Sequence, residues 1–420
     1  MAVASLAPAF TSRFPVPGIV AVVAPYGDGG RHARAYARHG WETIAVTLPD
    51  DQLPPAHRDL GLLTGYERLI QHSGLRRTAK KLRGRGVSAV VAGSGLGVGL
   101  ADRLALALDL PGSDPLTSRL RRDRGLQATA LRQADIAAPL SLRTGSLSEA
   151  LRWVDEHPMP AYVVAPADTA ATEASEVCWS AREVADAWRR IRREAFRQSG
   201  NNDLVVQEWL QGQAHLVHAV VDRHRLPVVT SVWSEQRITH RLHARSDLMS
   251  THGLLARALS LYTARVVDAL GIATGPVTLR LMTTDGGPVL LSARAYAHPA
   301  PVDDIPHTLG HVEATVSASI TGLVSPPEPA PGRRFAARIS LIAPHNGHLD
   351  ARMLRTVTSL PTVARATGHL TPGTPVRRTV DRATSPGEIV LVADTHRALE
   401  DDARVIRSAE VLGLYDGAAR

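Results

Sequence analysis

The stretch from Ala161 to Val177, AYVVAPADTAATEASEV, has the layout of an anion-binding segment. A short apolar strand over Tyr162–Val164 runs into Ala165-Pro166, a loop of small residues follows, and SAREVADAWRRIRREAF then predicts a helix. A strand, a small-residue loop and a helix N-terminus commonly bind phosphate, because backbone N–H groups point at the ligand. The stretch contains no cationic side chain, so the positive charge that a phosphate needs is missing from it.

A hairpin later in the chain brings three polar side chains together. The sequence PVTLRLMTTDGGPVLLSARAY predicts two strands that turn at Asp285-Gly286-Gly287. Ser292 and Arg294 are two residues apart on the second strand and therefore share a face, with Arg280 of the first strand opposite them. Two like charges about 4 Å apart repel by roughly 4 kcal/mol at an effective dielectric of 20, so we expect this face to repel a metal dication as well.

The histidines and the single cysteine predict structure more than chemistry. His215 and His218 are three residues apart on a predicted strand, so they point to opposite faces and do not share a metal. We expect His240 and His243 to be surface or phosphate-facing basic residues. Cys178 has no identifiable base beside it, which favours a small buried thiol over a nucleophile.

Composition narrows the class of protein. The chain has 420 residues and a net charge of +8, but only Lys80 and Lys81 of its 48 basic residues are lysines, and the arginines are spread along the chain. This distribution lacks the compact basic and aromatic motif of a nucleic-acid-binding protein. One cysteine excludes an intramolecular disulfide and fits the reducing cytoplasm, where we expect the protein to be. No apolar run reaches the roughly 18 residues of a membrane span, so we expect no membrane association.

The elements that must position these residues form three regions. Strands at Ile19–Ala24 and Glu42–Leu48, a third in VSAVVAGSG and intervening helices predict a doubly wound α/β domain up to about residue 115. Alternating apolar and polar residues from NDLVVQEW to VWSEQ predict antiparallel sheet, followed by a long amphipathic helix that ends at Gly271. A proline-rich linker, VSPPEPAPGRR, precedes a small α/β tail that begins at Phe335.

Five segments in this order resemble the ATP-grasp superfamily, in particular the actinobacterial carboxylate–amine (amino acid) ligases. The segments are VVAGSGLGVGLADRLALALDLPG, SRLRRDRGLQATALRQADIAAP, NNDLVVQEWLQGQAHLVHAV, GIATGPVTLRLMTTDGGPVLLSARAYAHP and TVDRATSPGEIVLVAD. The resemblance implies a fold that clamps ATP between two subdomains and uses Mg²⁺ to phosphorylate a carboxylate, after which an amine displaces the phosphate.

The resemblance also implies domain limits. An N-terminal α/β domain spans 1–117 and an ATP-grasp-like domain spans 118–330, with subdomains at about 118–200 and 203–330. A small C-terminal α/β subdomain spans 331–420. The expected fold class is therefore mixed α/β and α+β.

Two lysines that grip the phosphates in the family are replaced here. Arg124 stands in the first position and keeps the charge, while Ala165 stands in the second, in Val163-Val164-Ala165-Pro166. The loop beyond contains no glycine, and the resemblance implies that Asp168 and Glu173 would face the phosphates with like charge.

The hinge retains more of the family pattern than the ribose site does. Gln207, Glu208, Trp209 and Leu210 keep the pattern that contacts the adenine edge and are the nucleotide-binding candidates together with Arg124. Ala214 stands where the family carries an acid for the ribose hydroxyls, and a later acid on the same strand becomes His218.

The metal ligands of the family are absent. Its Glu on the first hairpin strand and its Glu-x-Asn pair on the second correspond to Arg280, Ser292 and Arg294. The family's following arginine corresponds to Tyr296. No metal ligand is therefore expected, and Arg280 and Arg294 remain the catalytic candidates if the site is active.

Three hypotheses stay open. The chain has lost ATP-grasp catalysis and acts as an accessory protein in amide- or peptide-forming secondary metabolism, with an active ATP-grasp ligase or another pathway enzyme as partner. Alternatively, it is an active ligase in which Arg124, Arg280 and Arg294 hold the phosphates, with ATP and Mg²⁺ as cofactors. The third is a metal-free pocket for another anionic ligand. A homodimer is compatible with each hypothesis.

Overall fold

The computed structural model describes residues 17–26, 30–57, 63–169, 175–239, 242–250, 252–297, 310–324, 335–381 and 384–417. Within these ranges no helix combines the length and the apolar character that a bilayer crossing requires.

The N-terminal domain is a parallel sheet with helices packed on it. Its strands are β1 (Ile19–Val23), β2 (Glu42–Thr47), β3 (Arg68–Gln71) and β4 (Val87–Ala92), and its helices are α1 (Gly30–Arg38), α2 (Leu75–Arg83) and α3 (Val98–Leu108). The strand order is β3-β2-β1-β4. The doubly wound domain predicted from the sequence is present, but β3 was not predicted, because its polar residues lie at a largely exposed sheet edge.

The next unit is a small antiparallel sheet with helices on it. It contains α4 (Arg124–Gln133), β5 (Ser141–Thr144), α5 (Leu147–Glu156), β6 (Tyr162–Pro166), β7 (Glu176–Cys178), α6 (Ala181–Ser199) and β8 (Leu204–Glu208). The strand order is β5-β8-β6-β7. Trp188, Ile191 and Ala195 recur at helical spacing on α6 and are buried in the core, as expected, while its arginines face outward.

The residues after β8 form a second unit, which is built on a much larger sheet. Its elements are β9 (Gln213–Val221), β10 (Pro227–Arg237), β11 (His243–Leu248), α7 (Leu254–Ala269), β12 (Gly275–Thr284), β13 (Gly287–Arg294) and α8 (His311–Thr321). The strand order β13-β12-β9-β10-β11 makes β12 and β13 the predicted hairpin. A core of Val and Leu side chains from β9, β12 and α7 holds the sheet to its helices.

The C-terminal tail continues this sheet and does not form a separate layer. It contains β14 (Phe335–Ser340), β15 (Gly347–His348), α9 (Ala351–Thr358), β16 (Val363–Gly368), β17 (Pro375–Val376), β18 (Gly387–Ala393) and α10 (His396–Val411). Antiparallel pairing of β11 with β14, followed by β18 and β16, gives an eight-stranded sheet. From the sequence we expected a small separate appendage here. The joining strand β11, HARSDL, was missed because its residues are mostly polar.

Candidate functional site

A cleft of about 460 Å³ lies between the small sheet and the large sheet. It is lined by Arg124, Val163, Ser175, Val177, Gln207, Glu208, Trp209, Leu210, Gly212, Gln213, Ala214, Glu235, Gln236, Arg237, Arg280, Met282, Leu291 and Ser292. The structure thus brings together the predicted nucleotide-binding residues with two of the three residues at the metal positions. The volume lies within the range of small-molecule sites.

Helix α4 begins at the cleft because Asp123 caps it. The Asp123 carboxylate accepts a hydrogen bond from the N–H of Leu126 at 3.1 Å and from Nε of Arg143 at 2.6 Å. The N–H of Arg124 donates to the carbonyl of Ala167 at 2.8 Å, which ties the first residue of the helix to the segment after β6. Both carboxylate oxygens of Asp123 are therefore engaged by other groups, and its charge still attracts that of Arg124.

Gln127 fixes the same helix against the hairpin. Its Nε2 donates to the carbonyl of Ala293 and its Oε1 accepts from the N–H of Ala293, both at 2.9 Å, and the side chain is buried. Arg124 lies one turn before Gln127, so this clamp brings it beside the β13 residues that flank Ala293. Sequence reasoning missed Gln127; its only signal was a polar residue on the inner face of an otherwise apolar turn.

The hairpin register places the predicted residues on one face. Arg280 pairs with Ser292, and Thr278 pairs with Arg294 and with His218 of β9. The predicted shared face of Ser292 and Arg294 therefore agrees with the register, with Arg280 on the same face. Ser292 is buried within it.

Glu235 of β10 supplies a carboxylate that sequence reasoning missed. It lies 3.0 Å from Arg280 and 3.6 Å from Arg237 and is almost fully buried. Burial by itself raises the pKa of this carboxyl group, but the positive charges of Arg280 and Arg237, with those of His243 and Arg338, hold it far below its usual range. Arg280 is thus neutralised within the chain by a carboxylate that was not expected from the sequence.

Arg124 is in the opposite electrostatic situation. Its side chain lines the cleft, is only 9% exposed, and its Nε has no hydrogen-bond partner among the described residues. Burial, followed by the nearby charges of Arg280 and Arg294, lowers the pKa of Arg124 to about 9. The charge of Asp123 opposes this shift but is outweighed, so the cleft holds a cation whose charge is only partly compensated by the described residues.

Backbone hydrogen bonds hold the first part of the segment Ala161–Val177 to neighbouring segments. Ala165 is fully buried and does not line the cleft. The N–H of Ala167 donates to the carbonyl of Asp203 at 3.0 Å, and that of Thr169 donates to the carbonyl of Arg122 at 2.7 Å. The backbone around Ala165 is thus held by neighbouring segments and faces the protein interior.

Asp168 does not face the cleft, contrary to expectation. Its carboxylate is buried and pairs with Arg122 at 2.5 Å, on the wall of a separate cavity of about 270 Å³. Ion pairing within the fold, which the sequence does not reveal, turns this acid away from any ligand of the cleft. Glu173, the other acid of the loop, lies outside the described residues.

Hydrogen bonds of Glu208 and a ring contact of Trp209 hold the hinge residues to the small sheet. The N–H of Glu208 donates to the carbonyl of Leu140 at 2.9 Å, and its carboxylate accepts from the N–H of Leu140 at 2.8 Å. Trp209 packs edge-on against Trp179, with ring centroids 5.1 Å apart. Gly212 has φ +150°, and a Cβ there would lie 2.1 Å from the carbonyl oxygen of Thr283, so only glycine fits where the hinge crosses β12.

The other singled-out side chains lie apart from the cleft chemistry. His215 bonds Thr283 and His218 bonds Thr278, as expected for opposite faces of β9. His243 was expected at the surface or facing phosphate, but it is buried on β11 with Ser246 and Ser340 as partners and acts on the cleft only through its effect on the pKa of Glu235. Cys178 is a buried thiol, as expected. His240 lies outside the described residues.

The residues at the metal positions do not fit Mg²⁺. This ion requires near-octahedral oxygen ligands, usually including carboxylates. The three metal positions offer one hydroxyl, that of Ser292, beside two guanidinium groups, and the carboxylate described beside them, Glu235, is engaged by two arginines. Across the described ranges no three His, Cys, Asp or Glu side chains are grouped so that they could hold a metal ion.

The chain is similar to known ligases and synthetases over most of its length. The chain is 27% identical over 391 residues to dapdiamide A synthase of Enterobacter agglomerans, covering 88% of this chain and 90% of that protein. Its fold matches an L-amino acid ligase of Bacillus licheniformis with a TM-score of 0.72 at 15% identity, over 96% of this chain and 99% of that one. It also matches an N5-carboxyaminoimidazole ribonucleotide synthetase, solved as its ADP complex, with a TM-score of 0.67 at 12% identity, over 93% and 97% of the two chains. No family model matches the chain.

Proposed function

We propose, from the ATP-grasp fold of this chain and its relation to ATP-dependent carboxylate–amine ligases, that it is an accessory protein of an amide- or peptide-forming pathway. The fold and the relation were both expected from the sequence and are confirmed by the likenesses described above. In this proposal the chain has given up Mg²⁺-dependent phosphoryl transfer, and its partner is an active ligase or another enzyme of the same pathway in the cytoplasm.

One observation carries the proposal, namely the ion pair between Arg280 and Glu235 at 3.0 Å. Phosphoryl transfer in this fold would need a metal to neutralise charge on the phosphates. The pair places a guanidinium group where a metal ligand is expected and uses the nearest carboxylate to neutralise it. A dication arriving there would have to break the pair and then face Arg294 as well.

The test is turnover. Purified protein is incubated with Mg·ATP and a panel of amino acids, and phosphate and ADP release are measured beside an Arg124→Met preparation. We expect no release above that of the variant. Phosphate or ADP release that requires both Mg·ATP and an amino acid, and that disappears in Arg124→Met, would overturn the proposal. Equal release in both preparations identifies a contaminating ATPase.

The partner is tested separately from catalysis. Size-exclusion chromatography with light scattering gives the mass of the protein alone and after mixing with candidate ligases of the same pathway. We expect a complex with one of them, together with a change in that ligase's rate. A protein that stays alone, and leaves every candidate's rate unchanged, would contradict the accessory role.

A second candidate function is an active ligase with a rebuilt phosphate site. It is favoured by Arg124, whose buried Nε lacks a described partner in the cleft. Arginine binds phosphate in a bidentate fork, so it could hold the triphosphate in place of lysine. The turnover assay decides between the two candidates.

A further inference from the structure

A groove of about 320 Å³ runs along the free edge of β4, away from the cleft between the two sheets. β4 is the edge strand of the N-terminal sheet and has β1 as its neighbour. Helix α3 forms one wall of this β4 groove and the C-terminal end of α8 forms the other, while the start of β12 and the turn at Arg223 close the side opposite β4. None of the described residues that line the groove also lines the cleft.

The backbone of β4 turns hydrogen-bonding groups into this groove. The N–H of Gly93 donates to the carbonyl of Val23 in β1 at 2.8 Å. Because the backbone groups of successive residues in a strand point to opposite sides, those of Val90 and Ala92 face away from β1 and into the groove. Among the residues that the structure describes, none bonds these outward N–H and carbonyl groups. The edge therefore lacks the partners that a further strand would supply.

Arg121 adds a donor to the lining of the groove. Its side chain is 1% exposed and is fixed by bonds from Nη1 to the carbonyl of Gly271 at 3.1 Å and from Nη2 to the Asp102 carboxylate at 2.5 Å. The Nε atom is buried and has no partner in the described part of the chain. A buried N–H that is held in place without an acceptor is costly, and a ligand carbonyl would satisfy it.

The lining of the groove suits a short chain with small side chains. The walls present Ala101 and Ala105 from α3, Ala318 from α8 and Gly275 from β12, where an added Cβ would meet nothing within 4 Å. The volume lies at the lower end of the range of small-molecule sites. The large sheet closes the side opposite β4, so the edge of another protein's sheet cannot reach β4, whereas a few extended residues can.

We infer that the β4 groove binds a short extended peptide of small residues, which adds to β4 as a further strand. Strand addition to a free sheet edge is a recurrent mode of peptide recognition, in which main-chain hydrogen bonds supply the affinity. Three extended residues span about 10 Å, which is enough to pair with both Val90 and Ala92. This site goes beyond the proposed function, because it lies outside the cleft and is independent of whether the cleft turns over ATP.

Calorimetry on the full chain with trialanine tests the site. We expect a dissociation constant of roughly 0.1–1 mM, which is ordinary for a ligand of so few atoms. N-methylation of both peptide nitrogens keeps the side chains but removes the N–H donors, and should weaken binding at least about tenfold. No binding of trialanine up to about 10 mM, or equal affinity for the N-methylated peptide or for free alanine, would overturn the inference.

Hydrogen exchange localises the peptide. The N–H groups of Val90 and Ala92 have no partner strand in the free protein, so saturating trialanine should slow their exchange at least about tenfold. Protection at 207–214 instead would place the peptide in the cleft and overturn the inference. Slow exchange of Val90 and Ala92 without peptide, together with a doubled mass in light scattering, would assign the edge to a second copy of the chain and would also overturn it.

A variant that fills the groove has a matched control. Thr321 lines the groove at the exposed end of α8, and its hydroxyl donates to the carbonyl of Ser317. Thr321→Trp should weaken trialanine binding at least about tenfold, because the indole occupies the groove. Thr356 of α9 is also exposed and donates to the carbonyl of Arg352 in the same way, so Thr356→Trp should leave the affinity within about twofold. Unchanged affinity in Thr321→Trp would contradict the site.

Discussion

Glu235→Gln tests the electrostatic account of the cleft most directly. The substitution keeps the size of the side chain but removes the charge that neutralises Arg280 at 3.0 Å and Arg237 at 3.6 Å. The direct attraction to Arg280 amounts to about 5 kcal/mol at an effective dielectric of 20. Burial of the two charges offsets part of this, and removing one partner of a buried pair typically costs about 3–5 kcal/mol.

Partial exposure of the arginine reduces the expected loss. The Arg280 side chain is 26% exposed, so cleft water can solvate it once its partner is gone. We therefore expect Glu235→Gln to lower the free energy of unfolding by about 2–3 kcal/mol at pH 7.5. Urea unfolding followed by tryptophan fluorescence measures this value. Asp401→Asn, which removes a carboxylate from exposed pairs on α10, is the matched control and should change it by under about 0.5 kcal/mol.

The pH dependence gives the same test a second readout. The pKa of Glu235 is lower in the folded protein than in the unfolded chain, so between the two values the unfolded chain binds more protons. The stabilisation is complete above about pH 4.5 and is lost as the pH falls through the folded pKa. The difference between wild type and Glu235→Gln should thus be about 1 kcal/mol smaller at pH 3.5 than at pH 7.5.

Two results would refute this reasoning. One is a loss below about 0.5 kcal/mol at pH 7.5, which would mean that the pair contributes no more than a surface salt bridge. The other is a double-mutant cycle with Arg280→Gln in which the two losses simply add, because contacting residues in one network should couple by at least about 0.5 kcal/mol.

Three further predictions concern other parts of the molecule. Burial, with the charge of His311, lowers the pKa of His32 to about 4, so between pH 6.5 and pH 4 the unfolded chain binds a proton that the folded protein does not. Between pH 7.5 and pH 4.5 the free energy of unfolding of the wild type should therefore fall by about 2 kcal/mol more than that of His32→Phe. Equal losses in urea unfolding of the two proteins would contradict this. Asp168→Asn should lower the free energy of unfolding by about 1–2 kcal/mol by leaving Arg122 without this carboxylate, as measured by urea unfolding; an unchanged value would contradict the importance of the pair. Ala165→Lys should destabilise by about 1–3 kcal/mol, because the site is fully buried, and should not confer Mg²⁺-dependent phosphate release; a gain of turnover would show that the missing lysine was the sole defect.

The sequence by itself determined the local geometry of the site. Strand periodicity is a property of a few adjacent residues, so the shared face of Ser292 and Arg294 followed from their spacing, and agrees with the observed register. The order of the five family-like segments likewise predicted the ATP-grasp fold, and the types of Arg124, Ala165 and Arg280 already indicated an altered phosphate and metal site. These inferences needed only residue identity and short-range spacing.

Tertiary structure decided which charges meet. Glu235 neutralises Arg280 from 45 residues away, and Gln127 clamps Ala293 from 166 residues away. Strand pairing and helix docking set both contacts, and the type of neither partner reveals the other. For the same reason two expectations from the sequence were wrong. Asp168 was expected to face a ligand but pairs with Arg122, and the tail was expected to be separate but joins the large sheet through β11. A charge takes its energy from what lies within a few ångströms of it, and in this chain those neighbours are distant in sequence.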